Sequence, residues 1–183
     1  MKNAKSIVAG GLVLVLLVFT SGMAEPQDGE TARGAELLAP FKKNLKQALV
    51  AGMQKGPVHA ISVCKDEAPA IAESLSTKGV QMGRTSHRLR NPENTAPHWV
   101  NAALNTYLGE DQGPAPILVH LPKDRLGYAE PIATAPLCLA CHGKSLAPDV
   151  AAHIVEAYSE DQATGFEAGD LRGVFWVEYP EAE

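Results

Sequence analysis

Between Thr31 and Gly56 apolar residues return every three or four positions, at Leu37, Leu38, Phe41, Leu45, Ala48, Leu49 and Met53. That is the spacing of one buried stripe on a helix, and Gly56 ends it. Pro40 falls inside the stripe, and its missing N–H predicts a kink near Glu36 or a helix that begins only there. Residues 25–32 are polar and carry Gly and Pro, so they read as a loose lead-in. A second helix holds the run Ala60-Ile61-Ser62-Val63 and then Cys64, and continues towards Thr77. Pro69 within it predicts a kink or break, because its ring crowds the carbonyl of Lys65.

The period then changes from helical to alternating. Val80 to Arg90 reads as a strand with Val80, Met82, Arg84, Ser86, Arg88 and Arg90 on one face. Asn91-Pro92-Glu93-Asn94 is a turn, and Pro97 opens a helix that passes Trp99 and Tyr107 and stops at Gly109. Ile117 to Leu121 and Gly127 to Ala133, split by Pro122-Lys123-Asp124-Arg125, form an expected hairpin. Pro148 to Tyr158 is helical, and Arg172 to Tyr179 is a last strand with Val174, Trp176 and Glu178 on one side. Four locally connected strands with several helices predict one α+β domain over residues 25–183, without internal repeat.

The N-terminus is different in kind. Lys2 and Lys5 precede an apolar run from Ile7 to Phe19, and Gly22-Met23-Ala24 offers small residues for cleavage, so residues 1–24 read as an export signal cut after Ala24. The expected location is periplasmic. The rival is an uncleaved anchor in the inner membrane, the one route by which a membrane enters the picture. The whole chain of 183 residues has a formal charge of −5; without residues 1–24 it keeps 14 basic against 21 acidic side chains, or −7. Its one basic cluster is the short Arg84, Arg88, Arg90 run, which argues against a nucleic-acid partner.

Two of three cysteines stand in Cys138-Leu139-Ala140-Cys141-His142, the attachment signature of a c-type haem. Residues three apart share a helical face, so both thiols can reach the vinyl groups of one porphyrin while His142 turns a ring nitrogen towards the iron. Export and motif agree, since this cofactor is attached outside the inner membrane. A disulfide would close only a very small loop. A thioredoxin-like pair belongs after an early strand, and a zinc site would need adjacent Cys141 and His142 around one tetrahedral ion.

The opposite side of the iron is less legible. Methionine follows the attachment site in small cytochromes c, whereas Met1, Met23, Met53 and Met82 all precede it here. His59, His87, His98, His120, His153, Met82 and Cys64 remain. Cys64 is either a small buried hydrophobe or a thiolate on iron. If the apolar end of the 80–90 strand lies on the porphyrin, Arg84 and Arg88 are placed to pair with its two propionates. Arg90, furthest out, reads as solvated.

Val63-Cys64-Lys65-Asp66-Glu67-Ala68-Pro69-Ala70-Ile71-Ala72, Arg84 to Asn94, Tyr128-Ala129-Glu130-Pro131-Ile132, Cys138 to Gly143, Ala163 to Phe166 and Gly169 to Gly173 occur in that order. Together they resemble a bacterial haem-c domain family typified by a cyanobacterial monohaem c-type cytochrome of PAS-like fold. The resemblance spans nearly all of the chain after the signal. It implies a PAS-like antiparallel sheet of four or five strands flanked by helices. It also implies one haem c held by Cys138 and Cys141, with His142 and Cys64 as axial ligands. His87 interrupts the arginine-rich segment, and its imidazole could compete for iron. Relatives carry this domain ahead of kinase or cyclase modules, and no such module follows here.

Two occupied axial positions leave no open site for a substrate, so the expectation is not an enzyme but a one-electron carrier with a separate redox partner. The rival is a redox or diatomic-gas sensor, for NO or CO, signalling through a separate protein. A homodimer is compatible with the first helical stripe.

Overall fold

The computed structural model describes residues 26–109 and 115–181; the expected export signal at 1–24 lies outside them. α1 (Pro26–Gln54) and α2 (Pro57–Leu75) precede β1 (Gln81–Thr85). α3 (His98–Leu108), the hairpin β2 (Ile117–Leu121) and β3 (Arg125–Ala133), α4 (Leu139–His142), α5 (Pro148–Ala157) and β4 (Leu171–Pro180) follow. The four strands form one antiparallel sheet in the order β1-β4-β3-β2, so the last strand of the chain lies between the first and third. This is the α+β architecture expected, with four strands among the described residues.

Register decides what each face meets. Met82, Val177, Tyr179, Leu126 and Tyr128 point to the side covered by α1 and α2, where they join Leu38, Phe41, Leu45 and Ala68 in the main core. Met82 is therefore a core residue. The opposite face takes α3, whose Val100, Leu104 and Tyr107 pack on Val174 and Trp176. Trp99 lies over Gly127, where a Cβ would approach its ring to 2.9 Å, and its indole N–H donates to Glu178 across 2.7 Å. A third cluster of Ile61, Val150, Ile154 and Tyr158 joins α2 to α5, with Cys141 packed against it.

Three local expectations are corrected. α1 does not begin at Thr31 or Glu36 but at Pro26, and it runs unbroken through Pro40. Burial of Leu38 and Phe41 on either side of Pro40 outweighs one lost backbone bond. The expected lead-in is helix, held where the Tyr179 hydroxyl donates to the Glu30 carbonyl and Arg33 lies over the Tyr179 ring. α2 likewise continues through Pro69 without a break, its Ala60, Ile61, Val63 and Ala68 buried.

The strand expected over 80–90 ends at Thr85. There the Ser86 hydroxyl accepts the Arg88 amide N–H at 3.1 Å and donates to the Arg172 carbonyl at 2.7 Å, turning the chain out of the sheet. Arg84, Arg88 and Arg90 consequently do not share one strand face. Arg90, expected in solvent, has a side chain only 10% exposed.

Candidate functional site

Pro136 sets the first turn of a short 3₁₀ segment, Pro136–Cys138, which passes directly into α4. Cys138, Cys141 and His142 thus lie on little more than one turn of helix. All three cysteines are free thiols. The segment 161–166 crosses α4 and fixes it: the Phe166 N–H donates to the His142 carbonyl, and the Gly165 N–H to the Gly143 carbonyl, each at 3.0 Å.

His142 makes the most informative contact of the site. Its Nδ1 lies 2.6 Å from the Ala163 carbonyl oxygen. A carbonyl only accepts, so Nδ1 carries the proton and Nε2 is the unprotonated nitrogen. Burial, then the charges of Arg172 and Arg90, hold the imidazole neutral down to about pH 3, against the opposing pull of the Ala163 bond. Nε2 faces the Arg172 guanidinium, whose Nη2 is 3.5 Å away.

Cys64, half-buried on α2, lies near enough to Cys141 and Tyr158 for a charge on its sulfur to act on both. Burial raises the Cys141 thiol, Arg90 opposes this, and Cys64 and Cys138 add to it. Burial pushes the Tyr158 phenol up to about 12, with Cys64 next in effect. The second and fourth helices thus bring together the sulfur of Cys64 and the Cys138, Cys141, His142 turn.

Cations surround this cluster. Burial, with Arg84 and Arg90 close by, lowers Arg172 to about 10. The Arg84 side chain makes no hydrogen bond or ion pair among the described residues. It lines a cleft of about 240 Å³ with Pro69 and Ala72 of α2 and with Asn91. Arg88 goes elsewhere: it donates to the Thr164 carbonyl at 3.0 Å and lies over the Phe166 ring. Arg172 lies over the same ring, while His87 and His142 both meet it edge-on. His87 keeps a buried Nδ1 with no partner, and burial, then Arg88, lowers its pKa. His59, His98 and His120 are exposed, and His153 stands beside Glu156 on α5.

The sequence reading missed Arg172 and the inward turn of Arg90. Both contacts join residues far apart in the chain: Arg90 reaches Cys141 across 51 positions and Arg172 reaches His142 across 30.

The profile of the Tll0287-like family matches residues 23–180. The chain belongs to the Tll0287-like family. Among solved structures it is similar to that described as the crystal structure of the cyanobacterial heme-protein Tll0287, with 24% identity and a TM-score of 0.64. The match covers 87% of this chain and 99% of the other. No curated protein matches. The likeness at that identity carries the fold, and it agrees with the family resemblance read from the motifs.

Proposed function

We propose that this chain is an exported, periplasmic monohaem c-type cytochrome that passes single electrons. In this reading Cys138 and Cys141 would hold one haem c through thioethers, His142 Nε2 would be one ligand to its iron, and Cys64 would supply a thiolate as the other. The observation that carries it is the tautomer of His142: Nδ1 is committed to Ala163, which leaves Nε2 as a ligand atom next to two free thiols. The solved relative of this fold is a haem protein, which supports the reading.

The donor set and charges fit such a group. Three guanidinium groups act on one another around His142, and among the described residues Asp161 is the carboxylate paired with them. Two propionates would balance the excess. Arg84 is the stronger candidate, because Arg88 is occupied by Thr164 and Phe166 and Arg172 by Ser86, His142 and the same ring. When bound, the haem supplies a one-electron ferric/ferrous couple, and an anionic sulfur ligand favours the ferric state while nearby arginines offset part of that. The −7 charge of the chain without residues 1–24 suits a basic redox partner; no nucleic acid is implied.

The test is production with a haem-attachment system, followed by a denaturing gel stained for haem and by EPR and optical spectra beside Cys64→Ala. A haem that survives denaturation, with a low-spin thiolate signal lost in the variant, is expected. A colourless protein would overturn the reading, and an unchanged thiolate signal in the variant would remove Cys64 from the iron.

A further inference from the structure

Arg90 and Asp161 form a buried pair, each side chain 10% exposed, with Nε donating to Oδ1 at 2.9 Å and Nη2 to Oδ2 at 3.3 Å. Neither contact explains why the pair stands here. The same Nη2 also donates to the Cys141 carbonyl at 2.7 Å and to the Ala163 carbonyl at 3.3 Å. Asp161 Oδ1 in turn accepts the Ala163 N–H at 3.0 Å. Ala163, whose carbonyl receives the His142 Nδ1–H, is therefore held through its own N–H and its own C=O, and one cation ties it to the backbone of the attachment turn.

We propose that Arg90 and Asp161 are positioning residues that set the strength of the His142 to Ala163 hydrogen bond, and through it the electron donation of His142 to the iron. This rests on haem ligation by His142. The argument is one of competition for a single acceptor. The Ala163 oxygen receives two donors, His142 Nδ1–H at 2.6 Å and Arg90 at 3.3 Å. Each polarises the oxygen at the expense of the other. With the Arg90 contact removed, the carbonyl becomes the better acceptor for Nδ1–H, the imidazole gains anionic character, and ferric iron is favoured. With Asp161 neutral, Arg90 has less to hold it back and draws more on the two carbonyls, which weakens the Nδ1–H bond and favours ferrous iron. The fork geometry matters: an ammonium offers one donor centre where guanidinium spans Asp161, Cys141 and Ala163 together.

Three variants of the haem-loaded protein, Arg90→Lys, Arg90→Gln and Asp161→Asn, separate this from simpler roles. Two readouts are taken: the ratio of reduced to oxidised haem at a fixed poise, and the proton NMR shift of His142 Nδ1–H in the diamagnetic ferrous state. In Arg90→Lys, whose charge is unchanged, the ratio is expected to fall severalfold and the Nδ1–H resonance to move downfield. Arg90→Gln moves both further the same way, and Asp161→Asn moves both the opposite way. If Arg90→Lys leaves both readouts at wild-type values, only charge acts, and the positioning role is overturned. Equal shifts of one sign in Arg90→Gln and Asp161→Asn would mean mere loosening of the turn, and would overturn it too. Wild-type protein without covalent haem would instead overturn the ligation on which the inference stands.

Discussion

The His142 ring is held between two groups that want opposite things from it: the Ala163 carbonyl accepts from Nδ1 at 2.6 Å, and the Arg172 guanidinium donates towards Nε2 from 3.5 Å. A proton on Nε2 would face that cation directly. The neutral ring is the form the fold is built around.

A dependence of stability on acid follows. An ordinary histidine takes up a proton near pH 6.5, whereas folded His142 resists until about 3, chiefly because it is buried. Below 6.5 the unfolded chain binds a proton that the folded chain refuses. Stability is thus unaffected by His142 above that value and falls as the pH drops towards 3, by at most about 1.4 kcal/mol per pH unit. Urea unfolding of the haem-free chain at a series of pH values should show this slope, and His142→Asn should lack it. An equal slope in the variant would place the acid sensitivity elsewhere.

Arg84 and Arg88 look equivalent in the sequence but not in the fold. Arg84 acts on His142 and Arg172, while Arg88 is spent on Thr164 and the Phe166 face. Removing a cation near haem disfavours the added electron. Arg84→Gln should therefore lower the potential of the haem-loaded protein clearly more than Arg88→Gln, read by dye-mediated redox titration. Equal effects, or a larger one from Arg88, would contradict the assignment of Arg84 rather than Arg88 to the propionate side.

Much of this arrangement was legible because it is local. The stripe Leu38, Phe41, Leu45 announces α1, the alternation around Val174 and Trp176 announces β4, and Cys138, Cys141 and His142 are read from spacing alone. What failed was the competition between local and tertiary forces. Pro40 and Pro69 argue for breaks, yet neighbours buried against the sheet and α5 keep both helices whole. Alternation past Thr85 suggests more strand, yet the Ser86 hydroxyl bonds to Arg172 and Arg88 and turns the chain. Alternation assigns Arg90 and Arg172 to strands but says nothing of their roles, which depend on partners 51 and 30 residues away.

At Gly34 α1 runs close against the sheet. A Cβ there would stand 2.4 Å from Cγ of the fully buried Tyr128. Alanine is the better helix former, but the overlap with an immobile ring outweighs that gain. Gly34→Ala should cost about 1–3 kcal/mol in denaturant unfolding, with the haem spectrum unchanged because Gly34 faces Tyr128 and not Cys64, Cys138, Cys141 or His142. A neutral or stabilising result would mean that α1 is free to lift from β3.

Under the proposed ligation, the choice between carrier and sensor turns on whether Cys64 can leave. It is flanked on α2 by Ile61, Val63 and Ala68, all buried, and Ile61 packs with Val150, Ile154 and Tyr158 while Ala68 packs with Met82 and Leu126. Carrying the sulfur away would drag these residues out of two clusters, and opening such packing costs several kcal/mol. The reduced haem-loaded protein should therefore resist CO over minutes, as a carrier does. Ile61→Ala, which loosens the α2 to α5 cluster without touching the sulfur, should admit it in part. Complete CO binding by the reduced wild-type protein, with loss of the thiolate signal, would show that α2 yields readily and would favour the sensor.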